Sequence, residues 1–373
     1  MSARAYVLSL LSVYLLSATP ATATGTTSLV RSYEGSTFFD RWTYYGNYDN
    51  TTEGDAEYVN RTVAVGSPEL TYINSAGNAI IKVDNTSTVA YNDKRNTVKI
   101  LSTDTYDVGS VWVLDAVHLP YGCSVWPSFW SENVAETWPE GGEIDTFEGV
   151  NNQVSNQMAL HTESGCSLTA SSSAYTGIVN ATDCDYSAND NSGCGVTVDN
   201  SASYGAAFAS AGGGAFITEL SETGISIWFF SRTDIPSAVT NANASIDTRE
   251  LGTPSAFWSN TGCNIQNYFK AQSLILDITL CGSWAGQSAI LASTGCSALT
   301  GTETCYETYV LDGANYADAY FEIKSIKVYS NGTASTNATT STSKSGAMAA
   351  VDTRGMWWGG LLGLMGVVAS FVL

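Results

Sequence analysis

Three carboxylates, Glu143, Asp145 and Glu148, fall within one short stretch, Trp138-Pro-Glu-Gly-Gly-Glu-Ile-Asp-Thr-Phe-Glu148-Gly-Val-Asn151. On a strand, side chains alternate between faces, so Glu143 and Asp145 point the same way. Glu148 is an odd number of steps from Glu143, and a regular strand would turn it to the opposite face. One extra, bulged residue restores it. The spacing therefore predicts a β-bulge between Asp145 and Glu148. Crowded acids push their pKa values apart, so that one carboxyl stays protonated while another stays ionised. That is the equipment of a retaining glycosidase, in which a nucleophile and a general acid sit about 5–5.5 Å apart. The competing reading is an acidic edge strand with a solvated face. It fits poorly with Ile144 and Phe147 interleaved among the acids and with Trp138, Gly141, Gly142 and Gly149 bracketing them.

A sugar-cleaving site also needs flat apolar platforms. Upstream lies Cys123-Ser-Val-Trp-Pro-Ser-Phe-Trp130, where alternation puts Trp126, Ser128 and Trp130 on one face and Phe129 on the other. Core packing is an equal alternative for these two indoles. Trp138, in a Gly/Pro-rich turn, is expected to border a groove. Downstream, in Asn156-Gln-Met-Ala-Leu-His-Thr162, Met158 and Leu160 face one way and Gln157, Ala159 and His161 the other. If this strand pairs beside the acidic one, His161 lies near the carboxylates and could hydrogen-bond Asp145 or a sugar. The other histidine, His118, is expected to be structural.

The elements that must hold these residues are strands. Gly 34, Tyr 20 and Trp 10 in 373 residues, with 13% charged residues, indicate many short strands and tight turns. Val111, Val113, Val117 and Leu119 alternate with Trp112, Leu114 and His118. Leu274, Leu276, Ile278 and Leu280 alternate with Ile275, Asp277 and Thr279. Ile225–Phe230 and Phe321–Val328 are further strands. No domain break appears from Ser28 to Ser330, so the expectation is one large all-β sandwich.

The formal net charge of −20 argues against nucleic acid or an anionic membrane surface as partner. The eight cysteines, Cys123, Cys166, Cys184, Cys194, Cys263, Cys281, Cys296 and Cys305, are even in number and lack a C-x-x-C spacing. In a secreted chain they are read as disulfides rather than metal ligands, with the pairing left open. Residues 1–23 have the pattern of a signal peptide, with Arg4, an apolar run from Ala5 to Leu16 and a small-x-small site at Ala21-Thr-Ala23. Residues 24–330 form the expected catalytic domain and 331–345 a Ser/Thr/Asn-rich stalk. Residues 346–373, small residues followed by a spacer and the apolar run Met356–Leu373, fit a glycosylphosphatidylinositol-anchor signal that is removed. Sequons at Asn50, Asn60, Asn85, Asn180, Asn243, Asn331 and Asn337 agree with the secretory route and an extracellular or cell-wall location.

Trp126-Pro-Ser-Phe-Trp130, Glu140-Gly-Gly-Glu-Ile-Asp-Thr-Phe-Glu-Gly-Val-Asn151, Leu160-His-Thr162 and Asp277-Ile-Thr-Leu-Cys-Gly-Ser-Trp-Ala-Gly286 resemble fungal members of glycoside hydrolase family 16, of the laminarinase-like endo-1,3(4)-β-glucanase type, over roughly residues 30–330. The E-x-D-x-x-E spacing is the specific part. The resemblance implies a concanavalin-like jelly-roll β-sandwich of two curved antiparallel sheets with a concave substrate groove. It implies Glu143 as nucleophile, Glu148 as general acid/base and Asp145 as assisting carboxylate, with Trp126, Trp130, Trp138 and His161 as sugar contacts. Trp284 matches the family's pattern, whereas Ser283 stands where an acidic residue is expected. A β-glucan substrate and a monomer follow, with hydrolysis, wall-glucan transglycosylation and non-catalytic glucan binding ranked in that order. No cofactor is expected to be required. Some relatives carry a structural calcium, for which nothing in this sequence identifies ligands.

Overall fold

A computed structural model describes residues 26–332 of the chain. The expected signal peptide, most of the stalk, the anchor signal and Asn337 lie outside the described residues. Among the described residues, no helix is long and apolar enough to cross a membrane.

Two large antiparallel sheets organise the described residues. The first has eight strands in the order Ile178–Val179, Val196–Thr197, Gln157–His161, Glu143–Glu148, Val125–Glu132, Gln272–Leu280, Lys99–Tyr106, Trp42–Tyr44. The second has nine, with Thr26–Glu34, Tyr320–Ser330, Ser110–His118, Gly214–Ser221 and Gly224–Ser231 forming its middle. A small third sheet joins Asn47–Tyr48, Ala56–Tyr58 and Arg95–Thr97.

Alternation explains which residues fill the space between the two large sheets. Phe129, Ile144, Phe147, Met158, Leu160, Leu274, Leu276, Ile278 and Leu280 are all buried in one cluster with Trp112, Leu114, Phe216, Ile323 and Ile326. Phe147 reaches across, with its ring centroid 5.6 Å from Phe216 and 6.3 Å from Phe321. Burying such a ring contributes about 1.5–3 kcal/mol. The acidic strand is thus anchored from behind by Ile144 and Phe147, and its other face is left for the acids. It lies between two partners and is not an edge strand.

The Val111/Trp112 alternation has a different outcome from a simple inside–outside split. Trp112 and Leu114 face the main core, but Val111 and Val113 are buried too, in a second cluster with Ala215, Ile217, Trp228 and Tyr329. The segment carrying Ala242, Ile246 and Leu251 covers that outer face. Leu119 joins the main core rather than the Val111 side. The strand ends at His118, and the pairing with Tyr320–Ser330 shifts register there. His118 places Nδ1 2.8 Å from the Tyr320 carbonyl and stacks on that tyrosine's ring, a structural histidine.

All eight cysteines are paired, Cys123–Cys296, Cys166–Cys263, Cys184–Cys194 and Cys281–Cys305. The metal alternative for them is therefore closed.

Candidate active site

The bulge is present. Across the neighbour that carries the tryptophans, Phe129 pairs with Phe147 and Trp130 with Asp145, which leaves Thr146 unmatched. Across the histidine strand, Asp145 pairs with Ala159 and Glu148 with Gln157. Thr146 turns inward, where its hydroxyl lies 2.7 Å from that of Thr218 on the opposite sheet and accepts from the Trp112 indole at 3.4 Å. Both Thr146 and Phe147 point into the core, and the parity of the strand is reset before Glu148. The turn that delivers the strand is tight. Gly141 and Gly142 have φ of 81° and 73°, and a Cβ on Gly142 would fall 2.5 Å from the Phe269 ring.

On the outer face, the tryptophans meet the acids. Trp126 Nε1 donates to Glu148 Oε1 at 2.8 Å, and the Ser128 hydroxyl adds a 3.4 Å contact to the same oxygen. Trp138 Nε1 donates to Glu143 Oε2 at 2.7 Å. Trp130 Nε1 donates to Asp277 Oδ1 at 2.7 Å. None of the three is core. Trp126 and Trp130 are half-buried on the face opposite Phe129, and Trp138 is 37% exposed. Trp284 stands edge-on to Trp126 at 5.4 Å, while Ser283 is exposed.

The strand Gln157–His161 pairs beside the acidic one, with His161 directly opposite Glu143. Its Nε2 lies 3.4 Å from Asp145 Oδ2 and 3.9 Å from Glu143 Oε1. Nδ1 lies 3.0 Å from Asn191 Oδ1.

Electrostatics follow from burying like charges. Burial pushes Glu143 up to about 7, against the opposing pull of the Trp138 hydrogen bond and the Lys99 ammonium. Burial also pushes Glu148 up to about 7, against the Trp126 hydrogen bond and His161. Asp145 is raised well above the usual carboxylate range by burial and then by Glu143 and Glu148. His161 is lowered, chiefly by burial. The three acids titrate as one coupled set, able to hold a proton on one member while another is ionised.

Three further charged residues belong to this face, and the sequence marks none of them as a site residue. Glu132 continues the Trp126, Ser128, Trp130 alternation and pairs opposite Glu143. Asp277 sits opposite Ser128, accepting also from Tyr58 at 3.2 Å. Lys99 pairs opposite Asp277 and holds its buried ammonium 4.9 Å from the Trp130 ring centroid and 5.2 Å from that of Tyr45. Strand parity could have found Glu132. An acid at the centre of an apolar strand could have marked Asp277. Lys99 and Asn191 carry no local signal, because only the pairing of distant segments brings them here.

Glu143, Asp145 and His161 each bring one ligand-type atom within 4.8 Å of the others. Two carboxylates and an imidazole fall short of the six to eight oxygens a calcium ion takes. The set suits proton exchange.

Comparison with known proteins identifies the family of the chain. The family model described as XgeA-like, catalytic GH16 domain matches residues 42–329. A probable glycosidase of Schizosaccharomyces pombe is 37% identical over 83% of this chain and 71% of its own length. A probable endo-1,3(4)-β-glucanase of Aspergillus fumigatus is 35% identical over 87% of this chain, which spans 49% of that relative. Among solved structures, GH16 Laminarinase 16A from Phanerochaete chrysosporium, with 6-O-glucosyl-laminaritriose in donor and acceptor sites, superposes with a TM-score of 0.75 at 36% identity, covering 82% of this chain and 99% of that one. An elongating GH family 16 β-1,3-glucosyltransferase gives 0.74 at 35% identity, covering 82% and 100%. The two stacked antiparallel sheets match the jelly-roll sandwich of these solved structures. With residues 42–329 matched and a relative 37% identical over 83% of the chain, the chain belongs to glycoside hydrolase family 16 and is a glycoside hydrolase.

Proposed function

We propose that the protein is a retaining endo-β-glucanase that cuts internal 1,3- and mixed 1,3;1,4-β-glucosidic bonds. The observation that carries this is the bulged strand, which presents Glu143, Asp145 and Glu148 on one face with an indole N–H on each of the two glutamates. Glu148, protonated, gives its proton to the glycosidic oxygen while ionised Glu143 attacks the anomeric carbon. Water deprotonated by Glu148 then releases the glycosyl-enzyme. Asp145 assists by holding a proton close to Glu143. Trp126, Trp130 and Trp138 supply stacking surface for the pyranose faces, with His161 as a polar contact. The three acids and the imidazole need no cofactor for this chemistry, so activity is expected to survive exhaustive chelation.

The test is the release of reducing sugar from laminarin and from barley glucan, with proton NMR of the first product. A newly formed β-anomer is expected. An α-anomer excludes the glycosyl-enzyme route, and no release from either polymer excludes the substrate class.

The likeness to an elongating β-1,3-glucosyltransferase favours a second reading, in which the intermediate meets a sugar acceptor in place of water. The expected secretion signal, lipid tether and cell-surface location suit such wall remodelling. A labelled acceptor oligosaccharide separates the two. Products of hydrolysis alone at high acceptor concentration remove the transfer reading.

A further inference from the structure

His161 touches the acids with one ring nitrogen and a loop with the other. An amide oxygen only accepts, so the 3.0 Å contact between Asn191 Oδ1 and Nδ1 requires the hydrogen on Nδ1. A neutral imidazole of that tautomer leaves Nε2 as a bare acceptor. Nε2 faces Asp145 Oδ2 at 3.4 Å, and that oxygen is fully buried with no hydrogen-bond partner. Two acceptors face each other only with a proton between them, and Asp145 is the group that can bring it.

The loop that carries Asn191 is built to rest on this ring. Cys184 and Cys194 close it. Asn189, Asp190 and Asn191 all have left-handed φ, 50°, 54° and 59°, and Asn and Asp are the residues other than glycine that visit this region most readily. Gly193 follows at φ 61°, where a Cβ would fall 2.8 Å from His161 Nε2 and 2.6 Å from the Leu160 carbonyl oxygen. Only glycine permits so close an approach. Tyr186 of the same loop packs edge-on to Trp138 at 5.3 Å.

We infer that Asn191 is a positioning residue of the hydrolytic site: by accepting from Nδ1 it selects one tautomer of His161 and thereby stations a proton on Asp145. This rests on the reading that Asp145 assists Glu143. The acids that face or act on the imidazole are Glu143, Asp145 and Glu148, all from the acidic strand. From the loop side its partner is the neutral amide, and Asp185 is engaged with Ser187. Without Asn191, the ring is free to carry its hydrogen on Nε2 and donate to an ionised Asp145. The added negative charge beside Glu143 then resists its ionisation.

Long-range proton–nitrogen correlation of ¹⁵N-histidine protein reads the tautomer directly, because the chain has only two histidines. A His118→Gln variant assigns the signals. Wild-type His161 is expected as the Nδ1–H form. Asn191→Ala is expected to shift it towards Nε2–H, lower kcat about tenfold and move the acid limb of the pH profile upward. Asn191→Asp, which still accepts from Nδ1, is expected to restore the Nδ1–H form. An Nε2–H wild type, or an Asn191→Ala variant with unchanged tautomer and pH profile, overturns the inference. If the tautomer follows residue 191 but no glucan is cut, the proton placement stands and the proposed substrate falls.

Discussion

Glu132 lies directly opposite Glu143 in the antiparallel pairing of neighbouring strands, so two carboxylates share one cross-strand position on the face that bears the acids. Like charges so placed are destabilising when both are ionised. Burial and then the Glu143 charge push Glu132 up to about 7, against the opposing Lys99 ammonium. A carboxyl raised in the folded state stabilises fully below its unfolded pKa, near 4.5, and that contribution is lost as pH rises through about 7. Glu132→Gln should therefore raise the Tm at pH 8 by about 2 °C, for about 1 kcal/mol, and leave it nearly unchanged at pH 4. Thermal melts at the two pH values decide it, and equal shifts contradict the pairing.

Glu143→Gln and Glu148→Gln should each lower kcat/KM on β-glucan by at least about 10³-fold without lowering the Tm. They should differ on an aryl glycoside whose leaving group needs no proton. There Glu148→Gln keeps its first step, seen as a burst of released phenol, whereas Glu143→Gln has none. A burst from Glu143→Gln would exchange the two roles.

The proposed mechanism needs one glutamate ionised and the other protonated. With Glu143 and Glu148 both held up to about 7, chiefly by burial, kcat/KM should be bell-shaped and fall above neutrality. The two limbs belong to the coupled set rather than to either residue. Stability should fall over the same range. Both pKa values are raised in the folded state, so the associated stability is present near pH 4 and lost as pH rises towards 7. Chemical denaturation across pH 4–8 should show the midpoint declining.

Trp138→Phe keeps a ring beside Glu143 but removes the hydrogen bond that holds the Glu143 pKa down. The acid limb of kcat/KM should move to higher pH, while KM changes less than about threefold because most stacking area remains. Trp138→Ala should raise KM about tenfold in addition. Steady-state kinetics across pH separates the two effects.

Alternation carried most of what could be read beforehand. Ile144 and Phe147 inward, the acids outward and one bulge between are all parity arguments, and the structure has each of them. Trp126 and Trp130 were undecided between core and groove because parity identifies a face without saying which face is covered. The same limit explains Val111 and Val113, whose outer face is buried by a segment more than 100 residues away in sequence. Cysteine pairing, the Lys99–Asp277 opposition and the Asn191 contact depend on which distant strands and loops become neighbours. No local pattern encodes that.

Thr146 is the residue that makes the strand one longer than the chemistry needs. Removing it would leave Glu-Ile-Asp-Phe-Glu, whose acids again fall on alternate positions of a straight strand. Adding a residue while the bulge is kept would throw Glu148 behind the sheet. Even-numbered spacing, or odd spacing with one bulge, are then two solutions of a single geometric condition, and this region tolerates a change of length only where the orientation of its last acid survives.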